Sequence, residues 1–132
     1  MPRQARIVLV DYPHHIVQRG NNSQNIFFED SEKKYYFGLL DRFSKENHCI
    51  IHAYCLMSNH VHILVTPKQP FSLAKLMQKL NLRYTQVFNQ KYNRTGSLWE
   101  GRYFSSLVDK EKYFRYLNWG QVPWDLSPYP GE

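Results

Sequence analysis

Cysteine is scarce in this chain: Cys49 and Cys55 are the only two among 132 residues. Both fall on one stretch that reads as extended, about 20 Å apart at strand rise. They cannot bridge each other there, and no disulfide framework is expected. Long apolar runs are missing too. None approaches the ~20 residues of a membrane helix, and runs such as Ile63 to Val65 are strand-sized. The opening Met1-Pro2-Arg3-Gln4-Ala5-Arg6 lacks the apolar stretch of a signal peptide, which points to a cytoplasmic protein with no membrane partner. Internal repeats and linkers are absent as well. Hydrophobic residues at 42% and charged residues at 21% exclude a disordered or collagen-like chain, and the length suits one domain.

Acid is also scarce, but only locally. Between residues 68 and 107, Lys68, Lys75, Lys79, Arg83, Lys91, Arg94 and Arg102 face Glu100 alone. The flanking parts nearly balance, so the net charge of +6 sits in this one segment. That distribution fits either a polyanion-binding surface or a solvated basic helix face.

The elements follow from periodicity and turn residues. His14 to Gln18 reads as a strand, ended by the turn cluster Arg19-Gly20-Asn21-Asn22. Ser31 is placed to cap a helix running to about Glu46, with Tyr35, Leu39 and Phe43 at spacing four. Residues 48–56 and His60 to Thr66 form two strands joined by Met57-Ser58-Asn59, an antiparallel hairpin. A helix from Ser72 to about Asn89 has Leu73, Leu76, Met77, Leu80 and Tyr84 on one side and Lys75, Lys79 and Arg83 on the other. Ser105 to Val108 reads as a strand and Asp109 to about Leu117 as a short helix, before an irregular tail with Pro123, Pro128 and Pro130. This layout is α+β, with helices packed on one face of an antiparallel sheet, for which a ferredoxin-like plait is the economical solution.

Chemistry concentrates at His60-Val61-His62. Side chains alternate along a strand, so both imidazoles project to one side while Val61 enters the core. Two imidazoles side by side can ligate one divalent metal; equally, one can pack and the other be solvated. No third ligand follows from spacing. His52 shares parity with Tyr54 and is expected to pack. Tyr84, Tyr92 and Trp99 are candidates for stacking unpaired bases, with Tyr84 fitting the core better. Asn21, Asn22 and Asn59 are turn formers, Asn59 abutting the histidine pair.

The stretch Ala53 to Val65 resembles the motif of the HUH (His-hydrophobic-His) single-strand transposases, and within them the REP-associated tyrosine transposases and the insertion sequence 200/605 group. Pro2-Arg3, Arg6-Ile7, His15 to Asn22, Ile26-Phe27-Phe28, Tyr84 with Phe88-Asn89, and Arg94 to Arg102 agree in the same order. The resemblance runs from about residue 2 to residue 113. It implies a single ferredoxin-like (RRM-like) domain, set here at residues 1–118, followed by a Trp/Pro-rich tail at 119–132. It further implies a metal-dependent endonuclease and strand transferase acting on single-stranded DNA, usually beside a hairpin. His60 and His62 would hold Mg²⁺ or Mn²⁺, and a tyrosine of the C-terminal helix would form a 5′-phosphotyrosine. A phenol of pKa near 10 is a weak nucleophile at neutral pH, which explains the need for a metal. Arg6, Arg19, Lys75, Lys79, Arg83, Arg94 and Arg102 are candidate phosphate contacts.

The tyrosine block departs from the family pattern. Tyr116-Leu117 is the nearest equivalent but arrives about one helical turn early, without the Asn-Pro-Val continuation, and Gln121 lies one step beyond the position of the family's polar ligand. Tyr113 is the second candidate. A four-residue deletion would leave Tyr116 functional; loss of the family frame near residue 115, by truncation or frameshift, would not. The alternatives to a transposase are an inactive relative that only binds structured single strands and an RRM-like RNA-binding module. The family includes monomers and swapped dimers whose tyrosine acts in trans, so a homodimer stays open.

Overall fold

Acidic side chains at the start of a helix meet its positive dipole end, and the chain turns helical where Asp30 and Glu32 cluster. The structure, a computed structural model describing residues 7–109 and 111–113, contains β1 (His14–Arg19), α1 (Asp30–Glu46), β2 (Cys49–Leu56), β3 (His60–Pro67), α2 (Ser72–Tyr92) and β4 (Phe104–Leu107). The sheet order is β2-β3-β1-β4, and every neighbouring pair is antiparallel. This is the ferredoxin-like arrangement expected from the sequence.

Two helix ends differ from expectation. The N-cap of α1 is Glu29 rather than Ser31, because Glu32 reaches back to the chain before it. Its Oε1 accepts from the backbone N–H of Phe28 at 2.6 Å and of Glu29 at 3.2 Å, leaving Ser31 inside the first turn. Helix α2 passes Asn89 and ends at Tyr92, since the residue that adopts the left-handed stop is Asn93, at φ 52° and ψ 51°. The two helix ends are then tied together: Lys91 Nζ stands 2.7 Å from Glu32 Oε2, and the Tyr92 hydroxyl donates to the same oxygen. Burial alone would raise the Glu32 pKa, but these bonds and those from Phe28 and Glu29 hold it below the usual carboxylate range.

Period-two alternation sends Ile16, Val61, Ile63 and Val65 to one sheet face, where they meet Tyr36, Leu40 and Phe43 of α1 and Leu73, Leu76, Leu80 and Tyr84 of α2. Leu40, Leu73, Leu76 and Leu80 are fully buried, each stabilising the fold by about 1.5–3 kcal/mol. The Tyr84 hydroxyl donates to Ile26 O at 2.6 Å, and burial raises the pKa of both Tyr84 and Tyr36. Trp99 belongs to this core as well, its Nε1 donating to Asn81 O at 3.3 Å, so it is not a surface ring for base stacking. Tyr92 is half-buried against Phe28 and Phe88.

The face away from the helices, called here the open face, is less open than the layout suggests. Every residue of β3 is buried. Ala53, Cys55, Leu64 and Val108 form a second apolar cluster there, with Met57 and Tyr113 packed on it. Cys49 lies in the helix-side core and Cys55 in this second cluster; neither is in a disulfide.

Candidate metal and DNA site on the open sheet face

The hairpin between β2 and β3 fixes where the histidine pair sits. Ser58 O accepts the N–H groups of Ile26 and Phe27 at 2.7 and 3.1 Å, and Asn59 O accepts Gly20 N–H at 2.9 Å. The loop after β1 thus clamps the hairpin turn from which His60 and His62 start. Gly20 is required by close approach: a Cβ there would stand 2.3 Å from Gln24 O. Its φ of −68° is ordinary, so contact is the whole reason.

His60 and His62 are brought side by side on the open face, ring centroids 5.0 Å apart and planes 79° to each other. Each ring has one nitrogen held. His60 Nδ1 lies 2.7 Å from Asn59 Oδ1, which can only accept, so Nδ1 carries the proton and the neutral ring keeps its lone pair on Nε2. His62 Nδ1 lies 3.0 Å from His15 Nε2, with the two rings stacked at 5.2 Å and 21°. The Nε2 atoms of both His60 and His62 are buried. Burial drives the His62 pKa down to about 3, with His60, when protonated, and Arg19 pushing the same way, so this imidazole is neutral at physiological pH. Among the described residues, no group of three or more His, Cys, Asp and Glu side chains could hold a metal ion. The pair therefore offers two nitrogen donors, and a hard divalent ion would need oxygen donors from elsewhere.

The sequence-predicted residues fall into separate places. Arg19 is the Cα partner of His60 and shares its face. Lys75, Lys79 and Arg83 are exposed on α2, as their spacing predicts, but α2 packs on the opposite side of the sheet from the histidines. Arg94 is spent on its own loop: it donates to Asn89 Oδ1 at 2.5 Å and lies over the Phe88 ring at 5.7 Å. Arg102 is exposed beside a small pocket of about 240 Å³ that also includes Gln18, Asn81 and Gly101. Arg6 and Tyr116 lie outside the described residues.

Tyr113 is described, and it is not beside the histidine pair. Its hydroxyl is 3.2 Å from His52 Nδ1, while His52 Nε2 is 2.7 Å from Thr66 Oγ1. Thr66 is four residues from His62 and six from His60 along β3, on the order of 13 and 20 Å. His52 itself departs from its expected parity. An irregularity in register between Ile51 and Ala53 leaves it outside the regular pairing, so it shares the open face with Thr66 rather than packing with Tyr54. Tyr12, Pro13, Val108, Asp109 and Asp11 complete a cavity of about 560 Å³ around it. Nothing in the sequence pattern assigns His15 a role. Its contact with His62 spans 47 positions and depends on the β1–β3 register, which strand periodicity does not reveal.

The family described as Transposase IS200 like matches residues 9–118. The chain belongs to the IS200-like transposases. Among solved structures it is similar to a REP-associated tyrosine transposase bound to a REP hairpin, at a TM-score of 0.68 and 10% identity, covering 91% of this chain and 70% of that one. It is also similar to a proposed transposase from Deinococcus radiodurans r1, at a TM-score of 0.62 and 17% identity, covering 84% of this chain and 89% of that one. At these identities the structural likeness speaks for the fold. No curated protein matches the chain. No helix among the described residues is long and apolar enough to cross a membrane.

Proposed function

We propose that this IS200-like transposase is a metal-dependent single-stranded DNA endonuclease and strand transferase. The observation that carries the reading is the His60/His62 pair, with two imidazoles on one strand face and their second ring nitrogens engaged by Asn59 and His15. Ligating histidines typically have their other nitrogen held in this way. The donor set fits Mn²⁺ or Mg²⁺ as a partial shell; His60 and His62 would hold the ion. When bound, it would neutralise charge on the scissile phosphate and make phosphorus more electrophilic.

The protein's own groups have distinct tasks in this reading. The attacking oxygen is assigned to Tyr116, because the Tyr113 hydroxyl is engaged by His52 at the other end of β3. Attack on phosphorus breaks the bond to the 3′ oxygen, which leaves protonated, and the 5′ phosphate stays on the tyrosine. Reversal with a new 3′-hydroxyl rejoins strands without ATP. Arg19, beside His60, would contact a phosphate next to the reacting one. Residues 1–118 act as one domain, and the DNA is a single strand beside a hairpin; the structural neighbour is bound to a REP hairpin.

The test is incubation of hairpin-flanked single-stranded DNA with the protein and Mn²⁺, read by denaturing electrophoresis. A covalent adduct lost in His60→Ala, His62→Ala and Tyr116→Phe supports the reading. Binding without any adduct would overturn catalysis and leave a strand-binding relative.

A further inference from the structure

We propose that His15 is a positioning residue: by accepting a hydrogen bond at Nε2 it holds His62 in the tautomer that carries its proton on Nδ1. This rests on the metal-pair reading above and extends it to a third histidine.

The direction of one hydrogen bond decides whether His62 can be a ligand at all. His62 is fully buried, and an imidazole that ligates a metal is neutral, so its ring carries a single proton. If His62 Nδ1–H donates to His15 Nε2, the lone pair of His62 is on Nε2. If His15 Nε2–H donates instead, the proton of His62 sits on Nε2, and that atom cannot bind a metal. His60 has no such ambiguity, since Asn59 Oδ1 can only accept. A matched pair of Nε2 donors therefore requires His15 to be the acceptor.

The placement of His15 suits this task. It stands on β1, which is hydrogen-bonded on both sides, to β3 and to β4. Its Cα partners are Leu64 and Ser106, so its backbone is held from two directions. The side chain is 2% exposed, and its ring lies nearly parallel to that of His62. Ring rotation at either histidine would break the 3.0 Å contact. The adjacent His14 shows what a histidine with a purely local role looks like. It donates from Nδ1 to Tyr12 O at 2.7 Å and accepts Leu9 N–H on Nε2 at 3.2 Å, stapling its own turn.

The experiment uses the full chain, free of DNA, with ¹⁵N-labelled histidine. Long-range ¹⁵N–¹H spectra, with His62 assigned by its loss in His62→Gln, should show Nδ1 protonated and Nε2 bare in wild type. His15→Phe should give mixed tautomers at His62. It should also weaken Mn²⁺ binding, followed by calorimetry, by about 10- to 100-fold. His15→Gln, whose amide oxygen reaches the Nε2 position, should restore most of both. Should His15→Phe not fold, as judged by circular dichroism and Tm, His15→Leu replaces it. A bare Nδ1 on wild-type His62 overturns the proposal, as does a folded His15→Phe with unchanged tautomer or Mn²⁺ affinity. Wild type that binds no Mn²⁺ overturns the metal reading instead, and the tautomer spectra still decide the role of His15.

Discussion

Tyr113→Phe removes one hydroxyl from a ring that stands edge-on to His52, centroids 5.1 Å apart. The ring keeps its packing on the cluster of Ala53, Cys55, Leu64 and Val108. The loss is then a single hydrogen bond, about 1 kcal/mol, which lowers Tm by a few degrees in a domain of this size. A nucleophile must bring its oxygen to about 3–3.5 Å from phosphorus. The Tyr113 hydroxyl is tied to His52 and through it to Thr66, on the order of 13 Å along the strand from His62. Adduct formation should accordingly match wild type in Tyr113→Phe and vanish in Tyr116→Phe. The assay is a labelled hairpin-flanked oligonucleotide incubated with Mn²⁺ and resolved on a denaturing gel, with Tm measured in parallel. An adduct lost in folded Tyr113→Phe but kept in Tyr116→Phe would refute the reasoning, because it would require Tyr113 to leave His52 or to act in another copy's site.

Acid should weaken the metal-free protein. Burial lowers the pKa of His62, His14 and His52, and unfolded histidines take up protons near pH 6.5, so the unfolded state holds more protons below that value. Stability therefore falls as pH drops from about 6.5 towards 3, with His62 alone contributing about 1 kcal/mol of loss at pH 5.5. Equal denaturant midpoints at pH 7.5 and 5.5 would contradict this. Gly20→Ala should cost about 1–3 kcal/mol through the clash with Gln24 O and loosen the Asn59 turn, seen as a lower Tm together with weaker Mn²⁺ binding. A Tm equal to wild type would refute the close-contact argument. Arg19→Ala should reduce the salt dependence of single-strand binding by about 0.7 in log–log slope, one phosphate contact. Arg94→Ala should lower Tm and leave that slope unchanged, because its guanidinium holds Asn89 and covers Phe88.

Strand alternation alone put His60 and His62 on one face with Val61 inside, and the short connection after Leu56 identified the hairpin. Both are local patterns, and the structure keeps them. Features set by distant partners were not legible. His52 was assigned by counting parity, which fails where the β2–β3 register shifts. Trp99 reads from the sequence as a candidate stacking ring, yet its indole closes the core against Tyr36 and Tyr84. The basic stripe of α2 was correctly phased along the helix, but helical phase does not say which sheet face the helix covers. His15 required knowledge of the β1–β3 pairing, which no residue pattern within β1 supplies.

The two cysteines lie on opposite sides of one sheet, and that makes them natural reporters of two separate layers. Only a thiolate reacts readily with thiol reagents, and burial pushes the Cys49 pKa up to about 12. Labelling of Cys49 consequently follows openings of the helix-side core. Cys55 stands opposite His62 in the β2–β3 register, so its labelling follows openings of the layer that carries the histidines. With one cysteine replaced at a time, the chain reports on loosening of its scaffold and of its reactive face independently, without any added probe site.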